Sequence, residues 1–251
     1  MTNMIQKVYF IICGTQKGGT TALDSYLRQH PHICMGKRKE LHFFDQEKNF
    51  QSDICDYTSY HKLFQVTSQR QILGEATPIY MYWRAAPQRM WGYNPKLKLI
   101  VILRNPIERA YSHWNMERSR GAESLSFWQA LQTEAERCQE ALPYQHRVYS
   151  YMDRGFYLKQ LEGLWEYFPK SQLLILRHET LRDEPLKTLN GICDFLGIKP
   201  FESLDVQKVY LGSYPNPMAE QEKIYLKGVF EEEIARLEQK LGWDCQSWLE
   251  L

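Results

Sequence analysis

Several features that mark specialised proteins are missing from this sequence. None of its six cysteines (Cys13, Cys34, Cys55, Cys138, Cys193, Cys245) forms a C-x-x-C pair. That argues against metal ligation, and a chain of this size needs no disulfide framework. Cys13 and Cys193 sit in apolar runs and read as small core residues. Charge of one sign is also lacking: 31 basic residues face 30 acidic ones, so no global field favours nucleic acid or an anionic membrane. The first apolar run, VYFIIC, ends at Gly14 after six residues, far short of a bilayer span and without the look of a signal peptide. No repeat, low-complexity tract or Gly/Ser linker divides the chain. The expectation is a single cytoplasmic domain over residues 1–251, with reduced cysteines and no transmembrane segment.

With 43% hydrophobic and 24% charged residues, the composition is that of an ordinary globular protein. VYFIIC (8–13), LKLIVIL (97–103) and QLLIL (172–176) are short, continuous and apolar, as parallel strands buried on both faces would be. Helix-like sequence follows each of them. TTALDSYLRQ comes after the first, and IERAYSHWNMERS after the second, opened by Asn105 as N-cap with Pro106 at N1. HETLRDEPLKTLNGICDFLG follows the third, with a break expected at Pro185. Further helical patterns cover 54–65, 79–91, 124–138, 150–168 and 219–241, the last closing on Leu241-Gly242. The alternation predicts an α/β fold of the P-loop type, a central parallel sheet flanked by helices in three layers, with ligand bound beyond the carboxyl ends of the strands.

One loop carries most of the chemistry. GTQKGGTT lies between a strand and a helix, the context of a phosphate-cradling turn. Gly14 and Gly19 have Walker A spacing, but Thr20 stands where the lysine belongs, and the cation is at Lys17 instead. Glycines let backbone N–H groups approach an anion, and the helix N-terminus adds its dipole. A plain glycine-rich turn would have no need of the lysine and two threonines. An NTPase also needs an aspartate at a strand end to help hold Mg²⁺; LKLIVIL ends instead in Arg104-Asn105-Pro106. Cations at two strand ends suggest a nucleotide phosphorylated at both ends of its ribose. Ser112, about 9 Å along a helix from Pro106, would add a hydroxyl to what Arg104 holds. The competing readings are a salt bridge for Arg104 and a solvated helix position for Ser112.

QKGGTTAL together with LRNPIERAYSHW resembles the two nucleotide signatures of sulfotransferases that use 3′-phosphoadenosine 5′-phosphosulfate (PAPS). The likeness is to the branch that holds heparan sulfate sulfotransferases and many bacterial sulfotransferase-domain proteins. HPHICMGKRKELHFFD (30–45), GEATPIYMY (74–82), GFYLKQLEGLWEYFPKSQLLIL (155–176) and CDFLGI (193–198) extend it over nearly the whole chain. The resemblance implies that Lys17, Gly18, Gly19, Thr20 and Thr21 grip the 5′-phosphosulfate, and that Arg104 and Ser112 hold the 3′-phosphate. Loosely aligned YLGSYP adds Tyr210, Gly212, Ser213 and Tyr214 over the nucleotide. It implies transfer of a sulfuryl group to an acceptor hydroxyl (on a small molecule, lipid or carbohydrate), release of 3′-phosphoadenosine 5′-phosphate (PAP), and no metal. Amine acceptors stay open, as does oligomeric state.

KELHFFD offers Glu40, His42 and Asp45 within six residues. On a strand, Glu40 and His42 would point to one side; by composition alone they read as a solvated loop residue and a packed histidine. The resemblance makes Glu40 the general base, His42 a second polar group at the acceptor, and Lys17 the cation that neutralises the departing phosphate. Ala76 stands where heparan-modifying relatives carry a lysine, which disfavours a glycosaminoglycan acceptor. YMYW (80–83), Trp91 and Trp128 are candidates for an apolar acceptor cleft or for core. Histidines 113, 146 and 178 show no metal-ligand spacing and read as structural or surface groups. The rival readings are an atypical P-loop kinase or NTPase and a nucleotide-binding module without catalysis.

Overall fold

The computed structural model describes residues 6–52, 54–68, 70–206 and 216–250. Its strands are β1 (Phe10–Gly14), β2 (Ile33–Met35), β3 (Ile72–Ala76), β4 (Lys98–Leu103) and β5 (Leu173–Arg177). The helices are α1 (Thr20–Leu27), α2 (Thr58–His61), α3 (Ala86–Tyr93), α4 (Pro106–Ser119), α5 (Phe127–Glu140), α6 (Tyr157–Trp165), α7 (His178–Asp183), α8 (Pro185–Leu196) and α9 (Glu220–Leu241). The chain divides into two compact units, residues 1–103 with 164–211 and residues 104–163 with 212–251.

The first unit holds the sheet. All its pairings are parallel, in the order β2-β3-β1-β4-β5. β1 lies at the centre, with Ile11 beside Glu75 of β3 and Ile12 beside Ile100 of β4. Because side chains alternate along a strand, Phe10, Ile12, Ile100 and Ile102 share one face. There they pack with Leu23 and Leu27 of α1 and with Leu189, Ile192, Cys193 and Leu196 of α8. Burying each of those leucines contributes about 1.5–3 kcal/mol. Glu75 points to the other face, where it meets α2 through Tyr60.

Three strands stand where the apolar runs predict them, but β5 differs in environment. Only Leu173 is buried and the other four residues are half-buried, because β5 is an edge strand, not a central one. β2 and β3 escape the sequence reading. β2 has three residues, and β3 reads ILGEA, with a glycine and a glutamate interrupting the apolar pattern. The break at Pro185 separates α7 from α8. The helix expected over 54–65 shrinks to the single turn of α2, and that over 79–91 is confined to α3.

In the second unit Asn105 caps α4 by accepting the Ile107 N–H at 2.9 Å, with Pro106 at N1. Ser126 and Gln129 form a reciprocal capping box on α5. α9 ends at Leu241 with Gly242 as its C-cap. This unit buries charge with its partners: Arg109 donates to the Tyr151 carbonyl, and Glu134 accepts the N–H groups of Met152 and Asp153. Such pairing is what makes buried charge tolerable.

Candidate active site

The loop from Gly14 to Thr21 leaves the carboxyl end of β1 and is fastened mainly by backbone. Thr15 N–H donates to the Ile102 carbonyl at 3.0 Å, and Gly18 N–H returns to the Thr15 carbonyl at 2.9 Å. A Cβ on Gly18 would stand 2.5 Å from the Ile102 carbonyl oxygen. Gly19 caps α1 at φ 106, and a Cβ there would meet His178 Nδ1 at 2.8 Å. Both positions therefore require glycine. With no side chain at the cap, the first N–H groups and the positive end of the α1 dipole face outward from the turn. Lys17 is half-buried, Thr20 buried and Thr21 exposed. These features fit a phosphate-bearing ligand: a cradle too tight for side chains, an uncapped helix start and a lysine.

One fastening comes from a histidine that the sequence leaves as a structural or surface group. His178, the first residue of α7, donates from Nδ1 to the Gly18 carbonyl at 2.9 Å. It thus braces the loop from the end of β5, two strands away from β1 in the sheet.

The segment carrying Glu40 is not a strand. Residues 37–45 form an irregular loop in which His42 takes a left-handed conformation, φ 53. Glu40 and His42 nevertheless adjoin. Lys39 Nζ donates to one Glu40 oxygen at 3.0 Å, His42 Nε2 lies 3.2 Å from the other, and His42 Nδ1 lies 3.0 Å from Asp45 Oδ2. Asp45 is fully buried, so it orients the imidazole and does not merely close a turn. Among the described non-glycine residues, only Lys17 and His42 have positive φ. Backbone strain of this kind gathers at functional loops.

Phe43 and Phe44 anchor the loop in a cluster with Tyr60, which stacks on Phe43 at 4.7 Å, and with Tyr80. Tyr80, Met81, Tyr82 and Trp83 are all buried, and Trp83 donates to Glu47, so YMYW supports the loop from below. Trp91 is largely exposed, and Trp128 packs against Tyr225 in the second unit. His113 is buried beside Tyr151, and His146 Nδ1 accepts the N–H groups of Val148 and Tyr149; both are structural.

Arg104 and Ser112 belong to the second unit. The Arg104 guanidinium pairs with Glu108 at 2.7 Å, and its carbonyl accepts the Tyr157 hydroxyl at 2.7 Å. Glu108 is 57% exposed, and a surface pair of this kind contributes about 0–1 kcal/mol, little enough for a phosphate to displace. Ser112 is buried on α4, not solvated. Tyr210, Gly212, Ser213 and Tyr214 lie outside the described residues. Among the described residues, no group of three or more His, Cys, Asp or Glu is arranged to hold a metal ion.

Residues 8–222 match the sulfotransferase domain family. The chain belongs to the sulfotransferase family. It is 34% identical over 196 residues to human heparan sulfate glucosamine 3-O-sulfotransferase 6, covering 75% of this chain and 52% of that protein. It is 30% identical over 276 residues to human bifunctional heparan sulfate N-deacetylase/N-sulfotransferase 3, covering 96% of this chain and 31% of that protein. The chain thus spans about half the length, or less, of these curated relatives. A sulfotransferase from Alicyclobacillus acidocaldarius superposes with a TM-score of 0.84 at 27% identity, covering 97% of this chain and 99% of that one. Mouse sulfotransferase SULT7A1, solved with PAP, shares the fold with a TM-score of 0.58 at 13% identity, covering 95% of this chain and 89% of that one.

The electrostatics of this sulfotransferase-family loop set Glu40 and His42 apart. Burial alone would raise the Glu40 carboxyl, but the hydrogen bond from His42 and the charge of Lys39 outweigh it and hold the group down at about 2. His42 is pushed up to about 9 by its hydrogen bonds to Asp45 and Glu40, against the effect of burial. At neutral pH His42 is therefore an imidazolium between Glu40 and Asp45, and Glu40 is ionised. Ala76, at the end of β3, is buried in the core packed on α1 and α8.

Proposed function

We propose that the chain transfers a sulfuryl group from PAPS to an acceptor hydroxyl or amine and releases PAP. The observation that carries this reading is the Gly14–Thr21 loop: a cradle closed to side chains at Gly18 and Gly19, at the uncapped start of α1, with Lys17 as its cation. Lys17, Gly18, Gly19, Thr20 and Thr21 take the 5′-phosphosulfate. Arg104 and Ser112 take the 3′-phosphate, with Tyr210, Gly212, Ser213 and Tyr214 over the nucleotide. The acceptor's lone pair attacks sulfur as the bond from sulfur to the 5′-phosphate oxygen breaks. The bonding electrons leave with PAP, where Lys17 balances the growing charge. Glu40, ionised and quarter-exposed, accepts the acceptor's proton; His42 holds the carboxylate in place, and Asp45 holds His42.

The names of the relatives include both 3-O- and N-sulfotransferases, so hydroxyl and amine acceptors both belong in the proposal. Heparan sulfate, named there, suits this chain less well, because buried Ala76 presents no cation to a sulfated sugar. Small-molecule, lipid and uncharged carbohydrate acceptors fit better. As part of the same reading, residues 1–251 act as one catalytic domain in the cytoplasm. The six thiols support a reducing compartment.

Thermal unfolding with PAP and EDTA tests the cofactor. At about a hundred times its dissociation constant, PAP should stabilise the fold by roughly 2.7 kcal/mol, with EDTA present or absent. Sulfate transfer from labelled PAPS to a panel of phenols, alcohols and amino sugars then tests the reaction. Stabilisation by Mg-ATP but not PAP would overturn the proposal in favour of a P-loop NTPase. PAP binding without transfer to any acceptor would favour a regulatory module.

A further inference from the structure

Glu75 is a fully buried carboxylate outside the chemistry described so far. It lies on β3, on the sheet face opposite the core packed on α1 and α8, and is 1% exposed. Three hydroxyls converge on it. Tyr60 of α2 donates to Oε1, Thr77 donates to Oε2 at 2.8 Å, and Tyr80 reaches Oε2 at 3.5 Å, the weakest of the three. Two of these hydroxyls also accept backbone N–H groups from the Glu40 loop. Thr77 Oγ1 takes Leu41 N–H at 3.0 Å; Tyr80 Oη takes Phe43 N–H at 2.8 Å and Phe44 N–H at 3.3 Å.

The order of these bonds matters. A hydroxyl that accepts an N–H must still place its own hydrogen, and in a dry interior only an acceptor can take it. Glu75 supplies that acceptor twice over, so Thr77 and Tyr80 are left with lone pairs facing the loop. Leu41 lies between Glu40 and His42, and Phe43 follows His42. Pinned on both sides, His42 keeps its left-handed backbone, and its imidazole stays against Glu40.

We propose that Glu75 is the positioning residue of the Glu40–His42 pair, acting through Thr77 and Tyr80 on the backbone on either side of His42. Its place in catalysis rests on the sulfotransferase reading; its hold on the loop does not. Glutamine is the informative replacement. It keeps the size of glutamate but offers one oxygen where two are needed, so either Tyr60 or Thr77 meets an NH₂ donor.

The test compares wild-type chain with Glu75→Gln, Thr77→Val and Thr77→Ser. In Glu75→Gln and Thr77→Val, amide hydrogen exchange at Leu41 and Phe43 should quicken by at least about tenfold. Turnover should fall by roughly 10–100-fold, the scale of an ångström of misplacement, and PAP affinity should hold. Thr77→Ser keeps the hydroxyl and should match wild type in both measurements. The pH profile is a separate readout. Burial pushes Glu75 up to about 7, so wild-type turnover should drop as the pH falls through that value, and Glu75→Gln should lack the inflection. The other titratable groups facing Glu75 are Asp45, His42, Tyr60, Tyr80, Tyr93 and Cys13. Those with a marked shift, His42 and the three tyrosines with Cys13, are moved upward and away from neutrality.

Wild-type exchange and turnover in Glu75→Gln would overturn the inference. So would a lower melting temperature with turnover and pH profile unchanged, since that describes a merely structural acid. If Glu75→Gln does not fold, the Thr77 pair decides by the same criteria. A wild-type chain that transfers no sulfate defeats the sulfotransferase reading, and the exchange measurement then judges Glu75's hold on the loop without it.

Discussion

Two loops of the first unit meet the same demand, a fixed backbone beneath a side chain with a proposed part in catalysis, by opposite means. The Gly14–Thr21 loop is held largely by its own main chain and by the Ile102 carbonyl. The 37–45 loop is held by side chains of other segments: the hydroxyls of Thr77 and Tyr80, the Arg89 guanidinium on the Phe44 carbonyl, and the Asn49 amide on the Phe43 carbonyl. Both carry a non-glycine residue at positive φ, Lys17 in one and His42 in the other. The difference is in where the support is encoded. Backbone support needs glycines within the loop itself, whereas side-chain support is spread over distant residues.

The sharpest way to test the comparison is Glu40→Gln, which keeps the size of the side chain and removes the proton acceptor with its charge. Sulfate transfer should fall by roughly 10²–10⁴, while calorimetric PAP affinity stays at the wild-type value and melting temperature falls modestly as the pairs with Lys39 and His42 are lost. Near-normal transfer would move the base elsewhere in that loop.

On the other loop, Lys17→Ala and Lys17→Gly should each cost roughly 10²–10³ in transfer, as the loss of one preorganised charge does. They should part in stability. Glycine relieves the left-handed strain and should unfold about 1 kcal/mol later than alanine in a denaturant titration. Equal stability would mean that the strain at Lys17 is not felt.

A smaller effect is expected at the brace between strand ends. His178→Ala removes one hydrogen bond to the Gly18 carbonyl, worth about 1 kcal/mol. PAP affinity should weaken by several-fold, read by the same calorimetry, with Glu40-dependent chemistry intact. If it does not weaken, main chain alone holds this loop.

A further signal is pH-dependent. His42 binds its proton more tightly when folded, up to about 9 against an ordinary 6.5. Its contribution is therefore complete below pH 6.5 and is lost as the pH rises through about 9. Melting temperature should decline over that interval in wild type and decline less in His42→Ala.

Legibility in the sequence followed the same division. The tight glycine turn of Gly14, Lys17, Gly18, Gly19 and Thr20 was legible because the residues that shape it are the loop. The three apolar strands were legible because burial on both faces leaves an unbroken run. β3 was not, since Gly74 admits the Phe10 ring and Glu75 receives three hydroxyls, both tertiary facts. Glu40 and His42 were reached through family resemblance and placed on a strand that does not exist; no local pattern records that Thr77 and Tyr80 hold them. His178 could be read only as a structural or surface group, because its partner lies 160 residues away.

The central position of β1 also bears on the order in which the molecule can assemble during synthesis. β1 emerges ahead of both strands that flank it, yet Phe10 waits for Gly74 and Ile12 for Ile100. At about 5–20 residues per second, the ribosome takes roughly 4–18 s to add the intervening residues. β3 is complete at Ala76, but until β4 follows, the central β1 lacks at least one of its two sheet partners. The phosphate loop cannot close until Ile102 offers its carbonyl, and its brace arrives only with His178. Among the described residues, the first strand and loop to be made are thus among the last to take shape, and their apolar surface is open to aggregation meanwhile.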